Sequence, residues 1–331
     1  MVVQTACLLE KCALFRPSPT TIKHMVSGTG EVIEEQKEAL ARQIQEDEQV
    51  PEGTQAVAIS LDRVNVLLSE RGKRKSRKAE RPRVGESEST RTAYRHAMVG
   101  NISYYGKEEG QPKRLESRYT ARMPQEKFLT FRKQLEQEIK ACFEQIAEGT
   151  TELVMTDGHP GLEKYIRRNT LLKECQILID FCHAMEHLSL AAEAIFGKSS
   201  DAASKWFDKW RQLLSHREHS ITGLYRSMKY YSTCLHDARC DALRKEMNYF
   251  KKRKAKMNYA YYRNRALPIA SGPVESARKS IVKTRLCRSG MRWSRNGGQN
   301  VLNLRTYLKS GRWESFWKHH RADCYQNELA A

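Results

Sequence analysis

The sequence predicts a mixed α/β core interrupted by an all-helical block. Three observations carry this. Short apolar runs end in aspartate at 55–61 (QAVAISL, then Asp62), 152–156 (ELVMT, then Asp157) and 176–179 (QILI, then Asp180), the pattern of buried strands. From 181 to about 264 the pattern is helical throughout, with no convincing strand. A Ser-Gly-Pro turn at 271–273 then opens a further helix that carries Glu275, with proline where a first helical turn accepts it.

The remaining elements follow in chain order. Residues 6–15 are apolar, 20–27 read as a short helix, and 30–48 read as a polar helix with Val32, Ile33, Leu40 and Ile44 on one face. Extended chain continues over 64–68, and a charged loop fills roughly 69–90. Residues 92–106 read as one or two strands. Pro124 starts a helix to about Gly149, with apolar positions at 128, 131, 135, 139, 142, 143 and 146, close to helical spacing. A short helix runs from Pro160 to about Arg168. After the Glu275 helix, which ends near Arg288, helices at 294–309 and 313–321 close the chain. In the helical block, Trp206, Trp210, Tyr230 and Tyr231 are expected to form its own core. No internal repeat is visible.

Charge points to the partner. Lys and Arg number 58 against 39 Asp and Glu, a net +19, which predicts attraction to polyanions and says nothing of fold. The excess is uneven. Residues 1–50 are mildly acidic, whereas 71–83 carry eight basic residues and one acid. The span 251–321 holds 19 Lys and Arg but only Glu275 and Glu314 as acids, and aromatic residues interleave it. Nucleic acid is the expected partner. No membrane span or secretory signal is evident. The nine cysteines contain no C-x-x-C pair, which reads as reduced thiols in a cytosolic protein.

A lone glutamate in so basic a region needs a reason. Glu275 either pairs with Arg278 or Lys279 one helical turn on, or holds a metal ion that works on phosphates. Asp62 and Asp157 each follow a strand, and the C-terminal edge of such strands is where open α/β sheets bind ligands. Aspartate there is also an ordinary turn former and helix cap. If the two strands are neighbours, the carboxylates converge and repel, and Mg²⁺ relieves that repulsion through oxygen ligands. With Glu275 as third acid, two metal ions would serve in-line phosphoryl transfer. His183 and His187 lie one helical turn apart, but the H-E-x-x-H order of zinc hydrolases is absent. Asp180 is expected to cap its helix, and His183 to orient a catalytic carboxylate or contact DNA.

The segments Val-Met-Thr-Asp157-Gly-His, Ile-Leu-Ile-Asp180-Phe-Cys-His183-Ala-Met-Glu-His187, Leu-Pro-Ile-Ala-Ser-Gly-Pro-Val-Glu275-Ser-Ala, Arg288-Ser-Gly-Met-Arg-Trp293-Ser and Ser310-Gly-Arg-Trp313 together resemble prokaryotic DDE transposases of the ISKra group, relatives of the Mutator-like enzymes. The resemblance spans roughly 55–320. It implies an RNase H-like catalytic core with an all-helical insertion between the second Asp and the Glu. The family's catalytic, metal-holding residues fall on Asp62, Asp157 and Glu275, with Asp180 and His183 matching its supporting C/D-x-x-H element. It further implies two Mg²⁺ ions (Mn²⁺ substituting), DNA ends and target DNA as partners, action as a homo-oligomer on DNA, and a prokaryotic, nucleoid-associated setting.

On that basis Arg278, Lys279, Lys283, Arg285, Arg288, Arg292 and Trp293 are expected at the DNA, Trp293 stacking on an end base or packing in the core. The expected divisions are 1–50, a helical remnant of a helix-turn-helix-like DNA-binding region; 51–181, the first part of the core; 182–270, the helical insertion; and 271–331, the last part of the core with its basic helices. Arg63 follows Asp62 where the family often has glycine. The N-terminal region is shorter than the family's, as in a truncated copy or a split frame. Two competing expectations are a non-catalytic, transposase-derived DNA-binding protein and a structure-selective nuclease on the same fold.

Overall fold

The computed structural model describes residues 17–71 and 90–330. The apolar 6–15 segment, Cys7, Cys12 and all but the first residue of the basic run 71–83 lie outside the described residues. Five strands form one mixed sheet: β1 (Ala56–Arg71), β2 (Thr90–Glu108), β3 (Gln111–Arg122), β4 (Thr151–Thr156) and β5 (Gln176–Ile179), in the order β3-β2-β1-β4-β5. β1, β2 and β3 are antiparallel neighbours; β4 and β5 run parallel to β1. The protein is thus of the mixed α/β class.

Two strands depart from the pattern of the sequence. β1 is far longer than the 55–61 run, because β2 pairs with it along its whole length, from Ala56↔Tyr105 to Arg71↔Thr90. β3 has no counterpart among the expected elements. Its residues Pro112, Lys113, Arg114 and Glu116 are polar or turn-forming, as suits a solvent-facing edge strand. A tight turn joins it to β2, with Glu109 (φ 50°) and Gly110 (φ 77°) both left-handed, the geometry of a two-residue hairpin.

One face of the sheet packs on α3 (Leu129–Phe143) and α4 (Pro160–Arg168). Phe131, Leu135 and Ile139 meet Val57, Ile59 and Leu61 there. The helix expected from Pro124 begins only at Leu129, because Lys127 and Phe128 hold left-handed backbone. The other face carries the last helices. α10 (Gly272–Ala277) runs on through a π-helical stretch, Arg278–Lys283, and a final turn, Thr284–Leu286. Val274, Ala277 and Ile281 lie against Val64, Val66 and Leu68 of β1.

The helical block comprises α5 (Phe181–Phe196), α6 (Asp201–His216), α7 (Ser220–Ser232), α8 (Asp237–Arg253) and α9 (Tyr259–Asn264). Trp206 and Trp210 are buried in its core with Leu188, Leu224 and Phe250. Tyr231 packs against them, but Tyr230, expected there too, is 66% exposed.

Helices α1 (Pro19–Glu35) and α2 (Lys37–Asp47) lie against α11 (Arg295–Lys309) and α12 (Trp313–Ala330): Ile33 and Leu40 cluster with Phe316. The helices expected at 20–27 and 30–48 are divided instead at Gln36, and α1 runs straight through Gly28 and Gly30. Gly30 is needed there, since a β-carbon would sit 2.5 Å from the Asn300 Cβ. Arg312, in the Ser310-Gly-Arg-Trp313 segment, ties α2 and α3 together. Its guanidinium donates to both carboxylate oxygens of Glu48 (2.7 and 2.7 Å) and of Glu138 (2.7 and 2.8 Å).

Candidate active site

Asp62 was expected to end its strand; it lies within β1 instead. The expected neighbourhood holds all the same. The parallel register of β1 and β4 ends at Ser60↔Met155, so two residues on, Asp62 stands abreast of Asp157, where β4 has given way to a turn. β1 has lost its parallel neighbour at this point and keeps β2, paired through Val99. Burial raises the Asp62 carboxyl above its ordinary value. The Arg63 amide (2.6 Å) and Arg278 pull it back, and the charge of Asp157 adds to the rise. The two carboxylates therefore feel one another.

Glu275 comes from α10, one turn beyond its start at Gly272. The local ion pair and the acidic cluster, the two roles weighed for it, meet here. Lys279 Nζ is 3.4 Å and Arg278 Nη2 3.8 Å from Glu275 Oε1, the local pairing that i,i+3 and i,i+4 spacing allows. Arg278 also donates through Nη1 to Asp62 Oδ2 at 3.0 Å. One guanidinium thus bridges Asp62 and Glu275 at the place where a cation would neutralise them. No group of three His, Cys, Asp or Glu poised to hold a metal is found among the described residues. The π-helical stretch begins at Arg278 itself; such single-turn stretches inside α-helices are frequent at functional sites.

Asp180 caps α5 as expected, accepting from the Cys182 amide at 2.7 Å. It does more: its other oxygen accepts from the Ser271 amide at 3.0 Å, and the Phe181 amide donates to Ile269 O at 3.0 Å. These bonds fix the 269–271 approach to the Glu275 helix. Burial raises the Asp180 carboxyl, against the pull of the Ser271, Cys182 and His183 amides. His183 does not reach the three carboxylates; its Nδ1 lies 3.1 Å from Glu186 Oε2. His187 lies 2.6 Å from Glu246 Oε2 and stacks on Tyr249, with ring centroids 3.5 Å apart.

Tyr249 leads to a residue that the sequence pattern does not single out. Arg253, at the end of α8, lies over the Tyr249 ring, 4.4 Å from its centroid, and donates to the Gly158 carbonyl. Gly158 has φ 78°, and a β-carbon there would come within 2.2 Å of Arg253 Nε. The Asp157 turn is therefore held from the helical block, while the Asp157 carboxylate accepts from the His159 amide at 2.7 Å. Asp157-Gly158 signals a turn; nothing local points to Arg253.

Of the expected DNA contacts, Lys279, Lys283, Arg288 and Arg292 are exposed, and Arg278 and Arg285 are half-buried. Trp293 is half-buried and packs with the core, its backbone bridging β1: its carbonyl accepts from Ser69 (2.9 Å) and its amide donates to Leu67 O (3.2 Å). Its indole N–H is buried without a partner. Of the two roles considered for it, packing is the one seen.

The described cysteines Cys142, Cys175, Cys182, Cys234, Cys240, Cys287 and Cys324 are free thiols. No helix among the described residues is long and apolar enough to cross a membrane. The fold and site define a mixed α/β protein with one aspartate on a strand, a second just past the end of its parallel neighbour, and a glutamate linked to the first through Arg278 on a separate helix. Compared with protein-family models, curated proteins and solved structures, the chain matches none.

Proposed function

We propose that the protein is a DDE-type transposase of the ISKra kind that cleaves DNA at the ends of an insertion sequence and joins the freed ends to target DNA. One observation carries the reading: Asp62 and Asp157 stand abreast, and Arg278 links Asp62 to Glu275. The mixed sheet, with five α-helices between Asp180 and Glu275, supports an RNase H-like core.

Asp62 and Asp157 are adjacent hard oxygen donors, a set that suits Mg²⁺ or Mn²⁺. Glu275, linked to Asp62 through Arg278, would be the third donor. Bound there, divalent cations would neutralise phosphate charge and help activate the attacking oxygen. The chain's own residues do the rest. Asp180 holds the entry to the Glu275 helix, and Arg253 holds the Asp157 turn. Lys279, Lys283, Arg288 and Arg292 present charge to backbone phosphates on and beyond the same helix. Such contacts position DNA without reading it. In cleavage, a water oxygen bonds to phosphorus as the P–O3′ bond breaks on the opposite side, and the 3′-oxygen takes up a proton. In joining, the freed 3′-hydroxyl replaces the water. Action as a homo-oligomer on paired ends belongs to the same proposal.

A second reading, a non-catalytic DNA-binding protein derived from a transposase, is favoured by Arg278, which takes the cation's place between two acids. The deciding experiment is cleavage and joining of DNA carrying the gene's own flanking ends, with Mg²⁺ or Mn²⁺, comparing wild type with Glu275→Gln. Joining that is lost in the variant supports the transposase. Cutting without joining means a nuclease, and binding without cutting in either protein means the non-catalytic form.

A further inference from the structure

A cavity of about 160 Å³ opens beside the aspartates, on the α3 and α4 side of the sheet. Its walls are Leu61, Met98, Phe128, Phe131, Leu162 and Tyr165, with Asp62, Arg63, Asp157 and Arg132 as the charged groups. Two features set it apart from an accidental hollow. Phe128 enters the wall from consecutive left-handed residues, Lys127 (φ 51°) and Phe128 (φ 54°), a conformation that side chains resist and that clusters at functional sites. Tyr165 is fixed in place: its hydroxyl donates to Glu136 Oε1 at 2.9 Å, Asn169 donates to the same oxygen at 2.6 Å, and the Arg132 guanidinium lies 5.0 Å from the ring centroid. The result is a rigid aromatic and guanidinium platform.

We propose that this cavity receives one unpaired nucleobase of the DNA strand processed at Asp62 and Asp157. The inference rests on the DNA-processing reading above and deepens it. A neutral, flat ring system suits apolar walls with aromatic faces, because every base has a π-face that stacks on them. A free phosphate gains no net charge attraction there, since the guanidiniums of Arg63 and Arg132 are offset by the carboxylates of Asp62 and Asp157. The position is also right, because a base unpaired next to a cleaved phosphate has only a short reach to the cavity.

The test uses the full chain in EDTA, so that no cleavage occurs. Two duplexes are compared, one with a single unpaired 2-aminopurine and one with an abasic residue at that place. Wild type is expected to bind the first roughly 5- to 160-fold tighter, the range that one base–aromatic stack supplies, with a change in 2-aminopurine emission. Phe128→Gly removes the ring and suits the left-handed backbone, and circular dichroism checks that the fold is kept. The variant is expected to bring the two affinities within about twofold, as is Tyr165→Leu, while Glu275→Gln keeps the preference. Equal binding of both duplexes by wild type, or a preference that survives both pocket variants, overturns the proposal. Base preference without cleavage in Mg²⁺ removes the transposase reading and leaves the pocket; cleavage without base preference does the reverse.

Discussion

Gly158 is the point where the helical block grips the Asp157 turn, and Gly158→Ala should break that grip. Three contributions add up. Left-handed backbone (φ 78°) costs an alanine about 1–2 kcal/mol. The new methyl would lie 2.2 Å from Arg253 Nε and 2.8 Å from Cδ, so the guanidinium must move. It then gives up its charge-assisted bond to the Gly158 carbonyl, about 1.5–3 kcal/mol, and its place over Tyr249, about 0.5–1 kcal/mol or more. The expected loss is therefore about 3 kcal/mol or more. A double-mutant cycle with Arg253→Ala isolates the mechanism. With the arginine gone, Gly158→Ala should cost only its backbone share, about 1–2 kcal/mol. The two single losses should exceed the double loss by about 2 kcal/mol. The assay is urea unfolding of the four proteins, followed by their Mn²⁺ affinity, which should fall in all three variants as Asp157 is released. Additivity within about 0.5 kcal/mol would refute the clamp.

Arg312→Met should cost about 3–5 kcal/mol at neutral pH, the result of stranding buried carboxylates. Burial alone would raise Glu138, yet Arg312 holds it below its ordinary value. Its stability is therefore present above pH 4.5, the unfolded value, and is lost as pH falls through the lower folded pKa. In the variant burial is opposed only by Arg118 and Gln45, so the penalty eases on acidification; the gap between the urea midpoints of the two proteins should narrow as pH falls, and a constant gap would count against it. Arg278→Gln should tighten Mn²⁺ binding at pH 8, measured by paramagnetic line broadening, because the competing guanidinium is gone. Asp62, already raised by burial, would rise further without Arg278, so binding should fail at a higher pH than in wild type as acid is added. Identical pH profiles would mean that Arg278 does not compete for the site.

Local pattern made much of the site legible. The Asp180 cap and the pairing of Glu275 with Arg278 or Lys279 each arise within one turn of sequence, where spacing fixes neighbours. The buried face of α3 at Phe131, Leu135, Ile139 and Cys142 was equally plain from its period. What escaped was built by distance. Arg278 meets Asp62 across 216 residues and Arg253 meets Gly158 across 95, and no local period encodes either pair. The Phe128 turn was hidden because apolar spacing runs through it, and β3 because an edge strand exposes the charges that mark loops. In β1, one apolar run was legible, but its extension through Asp62 depends on β2 as partner.

The contact between α1 and α11 also shapes the order of folding. Asn303 Nδ2 donates to Gly30 O at 3.0 Å across 273 residues, and Phe316 covers Leu40. On the ribosome, α1 and α2 emerge early and wait for partners made near the end. At roughly 5–20 residues per second, that wait is on the order of 15–50 s. Glu275 is likewise translated long after Asp62 and Asp157. A polypeptide released early exposes the apolar face of its first helices, a mark by which cellular quality control can remove it.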